Sequence, residues 1–274
     1  MYIPITLTTQ EEYVENKENI TPDDKTPQKR AWWEIPARGF VLIIIIVIML
    51  PGHWYRAAYL YTIGRFFPET VESRIADFEE KVKRKLDLKE LPVQIRILVL
   101  KAEKQVELWG KFRNGQWKKF NYYPIFSLPE GTGPKRSRDE IKTPEGVYRI
   151  AELDPNSIFN LAIKLDYPSQ EDKEIAQLEK RSPESMETDF LLHGFGFSEK
   201  NISLPDEAMK ELFYLISKAG LEHTELLIAP ADFRKELPQL TEPDWLKQRY
   251  EKMKQKMEEL KEIKEENHAE TGSY

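Results

Sequence analysis

The chain has 274 residues, a net charge of −6 and no cysteine. That length holds one domain of ordinary size plus appendages. The acidic balance and the lack of a basic stripe exclude a nucleic-acid partner, and the missing cysteine excludes disulfides, thiolate metal sites and thiol nucleophiles.

Residues 1–38 are polar and carry Pro4, Pro22, Pro27 and Pro36, which reads as a flexible N-terminal tail. Residues 40–50 (FVLIIIIVIML) are uninterrupted and apolar. Extended to residues 35–55, the run approaches the ~20 residues that a helix needs to cross a bilayer. Trp32, Trp33, Trp54 and Tyr55 bracket it as interfacial aromatics would, and Lys25, Lys29, Arg30 and Arg38 precede it. The expectation is an uncleaved signal-anchor over residues 39–55. The rest of the chain would then face the periplasm or cell exterior from the cytoplasmic membrane.

Residues 56–90 read as a linker and an amphipathic helix, with Val71, Ile75, Phe78, Val82 and Leu86 at helical period over residues 68–88. From residue 91 the pattern changes to strands. Residues 93–100 (VQIRILVL) alternate at period two, and two further strand-like runs flank Asn114 and Gly115, a hairpin turn. Residues 130–145 form a long loop rich in Gly, Pro and charge. Strands are expected at 146–150, 159–165 and 225–230, and a surface loop at 169–187.

Residues 188–207 (TDFLLHGFGFSEKNISLPDE) are the centre of the reading. An apolar run delivers His193 onto a glycine-rich bend. A helix then starts at Pro205, with Asp206 and Glu207 favouring its N-terminal dipole. A histidine leaving a strand, followed within eight residues by a polar turn, suits a base facing a nucleophile; equally, a histidine at a strand end can simply hydrogen-bond a carbonyl. The helix over 206–219 is amphipathic. A last helix over residues 242–267 carries Leu246, Tyr250, Met253, Met257 and Leu260 at spacings of four and three. That stripe fits a coiled-coil seam or a helix docked on the domain. His53, His193, His223 and His268 show no ligand spacing, so neither metal nor cofactor is expected.

The 188–207 stretch resembles the L,D-transpeptidase catalytic domain family (YkuD type, YafK-like branch), whose motif runs His-Gly, a spacer, then Ser-x-Gly-Cys. Here the His, Gly and Ser fall on His193, Gly194 and Ser198; the family's Gly falls on Lys200 and its nucleophilic Cys on Asn201. The likeness runs over about residues 91–237. It includes the TPEGVYRI segment with Pro144 and Gly146, and the stretch in which Pro155, Asn156, Ser157, Leu161, Tyr167 and Pro168 keep the pattern. Asp154, Asn160, Asp166 and Ser169 depart from it.

The resemblance implies an α+β, mostly β fold, a curved antiparallel core with a helix packed on it. It implies a groove for a peptidoglycan stem peptide, lined by Pro144, Gly146, Asn156, Ser157, Tyr167, Pro168 and Gly194, with His193 as base. Asn201 cannot replace the cysteine, because an amide has no group to deprotonate near neutral pH and its nitrogen lone pair is delocalised. Lys200 also removes the backbone freedom of glycine before the nucleophile. The expected partner is a stem peptide or a cell-wall enzyme, bound without turnover. Two alternatives stay open: an acyl transferase or peptidase using Ser198 or Ser203 with His193, and an interaction protein acting through the C-terminal helix.

Overall fold

The computed structural model describes residues 55, 58, 66–238 and 243–260, all within one compact unit, Pro51–Tyr274. The tail and signal-anchor expected over 1–55 therefore lie outside the described residues, Tyr55 apart, as does the end of the last helix. Among the described residues no helix is long and apolar enough to cross a membrane.

One eight-stranded sheet organises the chain, in the order β3-β2-β1-β8-β4-β5-β6-β7. Its strands are β1 Gln94–Leu100, β2 Gln105–Lys111, β3 Trp117–Pro124, β4 Gly146–Asp154, β5 Ala162–Leu165, β6 Leu191–His193, β7 Ile202–Ser203 and β8 Thr224–Ala229. Among residues 66–260, the described α-helices are α1 Val71–Ala76, α2 Glu79–Lys85, α3 Gln170–Leu178, α4 Asp206–Ala219 and α5 Asp244–Glu258.

The expected antiparallel core is in fact mixed. β1 runs parallel to β8 and β6 parallel to β7, while the other pairs are antiparallel. The reason lies in the central strands, which are covered on both faces. Ile95, Ile97 and Val99 of β1 and Leu226 and Ile228 of β8 join a core with α1, α2 and α4. Leu98, Leu100, Leu227 and Ala229 join a second core under α5. Near-continuous apolar runs are what two-sided burial requires, and parallel pairing goes with it. Arg96, polar within that run, is only 5% exposed and is neutralised by Glu225 at 2.8 Å, with the Trp117 ring 4.6 Å from its guanidinium carbon.

The sheet curls. β4 pairs with β8 through its first half and with β5 through its second, with a register shift between Ile150 and Glu152. Beyond β3 the chain crosses to the far edge, where Ser127 bridges Ser203 of β7. The Phe126 N–H donates to the Ser203 carbonyl and the Ser203 N–H to the Ser127 carbonyl, both at 2.9 Å. The two edges of the sheet thus meet, giving a half-barrel.

Three helical expectations change. The single helix over 68–88 is two, α1 and α2, parted at Asp77 and Phe78, and Ile75, Phe78, Val82 and Leu86 still reach the first core. The loop expected at 169–187 contains α3, started by a reciprocal Ser169–Asp172 capping box that the sequence carries in plain view. Pro205 sits at the N-cap of α4 rather than inside it. The stripe of α5 docks: Leu246, Tyr250, Met253, Met257 and Leu260 all pack on the sheet in the second core, so the coiled-coil reading falls. Arg249 of α5 fixes this helix to α3 through Asp172 at 2.8 Å, a pair whose side chains are each 4% exposed.

Candidate functional site

β6 ends on His193, and the parallel register places Ser203 opposite it and Ile202 opposite Leu192. Asn201 is therefore level with Leu191, one strand across and two residues back from His193. Of the two positions singled out by the sequence motif, His193 thus ends β6 and Asn201 immediately precedes β7.

His193 is fully buried, and its ring stacks on Phe159 with centroids 4.0 Å apart. Nδ1 lies 2.6 Å from the Gly194 carbonyl oxygen. A carbonyl only accepts, so the neutral imidazole carries its proton on Nδ1, leaving the lone pair on Nε2. That Nε2 is buried and has no hydrogen-bond partner among the described residues. Burial pushes the imidazole below its ordinary pKa, and the Gly194 carbonyl opposes this more weakly. The side chain has the state of a free base.

The turn after it is held tightly. A Cβ on Gly194 would come within 2.4 Å of Asp206 Oδ1 and 3.2 Å of the Phe159 carbonyl oxygen, so no other residue fits there without displacement. The same Asp206 oxygen accepts the Phe195 N–H at 2.9 Å, tying the turn to the first residue of α4. Phe195 and Gly196 both adopt positive φ, at 38° and 97°.

The groups facing His193 across the turn are committed to structure. Asn201 Oδ1 accepts the Leu191 N–H at 3.1 Å, which completes the ladder where β7 begins. Ser198 Oγ accepts the Asn201 N–H at 3.1 Å and the Lys200 N–H at 3.4 Å, while the Ser198 N–H donates to Ser127 Oγ at 2.9 Å. Ser203 Oγ shares a hydrogen bond with Ser127 Oγ at 2.8 Å. Neither serine is hydrogen-bonded to His193, so the serine–histidine pairing weighed from sequence is not formed. The N–H groups that an oxyanion hole would aim at a substrate are taken by two serine hydroxyls.

The remaining predicted groove residues brace the site through their own hydrogen bonds and packing. Asn156 donates to the Glu69 carbonyl at 2.8 Å and accepts the Glu69 N–H at 3.0 Å, clamping the approach to α1. Ser157 Oγ accepts the Phe159 N–H at 3.2 Å, holding the loop that carries the stacked ring. Tyr167, joined to Pro168 by a cis peptide bond, is buried against Tyr148 and Phe190 and donates to the Lys135 carbonyl at 3.2 Å. Pro144 and Gly146 are buried where β4 begins.

A separate opening lies beside this turn. A cavity of about 950 Å³ sits where the sheet edges meet, between the β1–β2 turn, residues 125–133 and the tip of the His193 turn. None of the predicted site residues lines it, although Phe197 and Glu199, on either side of Ser198, do. Its floor carries Lys101, whose Nζ is 2.6 Å from Oε1 of the fully buried Glu145. The Glu145 carboxylate also accepts the Tyr250 hydroxyl of α5. Nothing in the spacing of Lys101, Glu145 and Ser127 announces this site; only the closing of the sheet assembles it. Among the described residues no group of three or more His, Asp or Glu is placed to hold a metal.

The chain is 26% identical over 175 residues to the provisionally named L,D-transpeptidase YafK of Escherichia coli strain K12, and equally to that of strain O157:H7. Over that stretch the sequence is similar to a protein of L,D-transpeptidase type. The match covers 62% of this chain and 64% of YafK, so the chain spans less than two thirds of that relative. No protein-family model matches. Among solved structures, Bdellovibrio bacteriovorus Bd1075 aligns at 20% identity and TM-score 0.38 over 61% of each chain. The helical cell shape determining protein Pgp2 of Campylobacter jejuni aligns at 14% and 0.40 over 55% of each.

Proposed function

We propose that this L,D-transpeptidase-like chain is a peptidoglycan-associated protein of the bacterial envelope that binds stem peptides without transferring an acyl group. Residues 39–55 anchor it in the cytoplasmic membrane with the domain outside. The observation that carries the reading is the pairing of a free base with no nucleophile. His193 Nε2 keeps an unshared lone pair, while Asn201, where the resemblance implies cysteine, holds the Leu191 N–H. Similarity to YafK supports the ligand class. Acyl transfer needs a nucleophile in contact with its base and donors left for the oxyanion, and here both sets of groups are engaged within the turn. A cell-wall enzyme seated on the same surface is the competing partner; the apolar stripe of α5 is covered by the chain's own sheet and is not offered to one.

The test is a titration of the full-length protein with muropeptides, run beside an assay for released D-alanine. Saturable binding with no release supports the proposal. Release that disappears in His193→Ala would establish the serine reading instead, and absence of binding would leave the enzyme partner.

A further inference from the structure

The cavity at the sheet closure differs chemically from the turn beside it. Its wall presents Phe126, Ile141 and Phe197, which are 62%, 53% and 75% exposed. Large apolar side chains left open around one concavity mark a binding surface, and a volume near 950 Å³ suits a ligand of a few residues.

Charge selects among such ligands. An ammonium has three N–H donors. Lys101 gives one to Glu145 and one to the Gly131 carbonyl at 3.2 Å, which leaves the third for an acceptor entering the cavity. Lys101 and Glu145 cancel in charge. Lys104, Glu130 and Glu199 also line the cavity, are solvent-exposed, and form no ion pair among the described residues. The opening therefore offers one uncommitted cation, two uncommitted carboxylates, one buried donor and an apolar wall.

We infer that this cavity binds a short zwitterionic peptide, its free carboxylate toward Lys104 and Lys101 and its side-chain ammonium toward Glu130 and Glu199. A purely anionic ligand would meet the two carboxylates, and a purely cationic one would leave Lys104 and the Lys101 donor unanswered. The site lies one residue either side of Ser198 along the turn, so the inference rests on the stem-peptide reading and fixes which groups of that peptide are recognised.

The experiment uses the full-length chain and three probes: L-alanyl-γ-D-glutamyl-L-lysine, the same peptide with its ε-amine acetylated, and the same peptide with its C-terminus amidated. Calorimetry is expected to show each blocked probe binding about two- to fivefold more weakly, the range for solvent-exposed charge pairs. In the double variant Glu130→Gln/Glu199→Gln the penalty for acetylation should vanish while that for amidation stays. In Lys104→Met the penalty for amidation should shrink while that for acetylation stays. Both are surface changes that leave Glu145 and Lys101 in place. Binding with unchanged discrimination in both variants would overturn the inference while keeping the stem-peptide reading, since the peptide would then sit elsewhere. No binding of any probe by the wild-type chain would overturn both.

Discussion

The His193 turn and the cavity beside it are separated by a single serine, yet they treat their polar groups in opposite ways. In the turn, Asn201, Ser198, Ser203 and the N–H groups of Lys200 and Asn201 are bonded to one another or to neighbouring strands. Around the cavity, Lys104, Glu130 and Glu199 form no ion pair among the described residues. A site for chemistry keeps its reactive groups in reach of substrate; a site for recognition keeps its charges there. Among the described residues, His193 Nε2 is left open while Asn201 and Ser198 beside it are hydrogen-bonded into the frame.

The sharpest way to break that comparison is at the cavity floor, where the one charged pair should be structural. Glu145→Ala removes the carboxylate shared by the nearly buried Lys101 ammonium and the Tyr250 hydroxyl. Stability in urea should fall by about 3–5 kcal/mol; an unchanged midpoint would mean the floor is open to water. Behind the floor, Met253→Ala removes a fully buried side chain from the α5 seam. It should cost about 2–5 kcal/mol in the same assay, and a negligible loss would show α5 loosely held.

In the turn, Gly194→Ala sets a methyl against Asp206 Oδ1. A cost of about 1–3 kcal/mol is expected. Combining it with Asp206→Ala should cost less than the sum of the two, because the clash and the lost hydrogen bond share one oxygen. Additivity would place the strain elsewhere.

The mildest effect is a slope. Burial holds the folded imidazole of His193 below the ~6.5 of an unfolded histidine. As pH falls the unfolded chain takes up the proton first, so this contribution is whole above about 6.5. It is lost as pH drops through the lowered folded value. Unfolding measured from pH 7.5 to 5 should show that decline in the wild type and less of it in His193→Gln; equal slopes would contradict the buried neutral state.

Much of this was legible in the chain. Alternation and the Asn114–Gly115 turn gave β1 to β3, and an amphipathic run gave α4, because those elements depend on local pattern. The His193–Gly194 bend and the helix start near Pro205 were legible for the same reason, whereas the two-residue strand β7 was not. What the sequence hid depends on distant partners. The parallel β1–β8 pairing joins residues about 129 apart. The clamp of Asn156 on Glu69 likewise joins residues 87 apart. Helix α3 was missed for a different reason. Its charged composition outweighed the capping box and the buried Ile175 and Ala176 that hold it.

Intact-protein mass spectrometry of the full-length chain, after incubation with a saturating stem pentapeptide and quenching in acid, tests the central claim most directly. The account predicts an unmodified mass alongside calorimetric binding of the same peptide. A species heavier by the peptidyl group, abolished in His193→Ala, would contradict it.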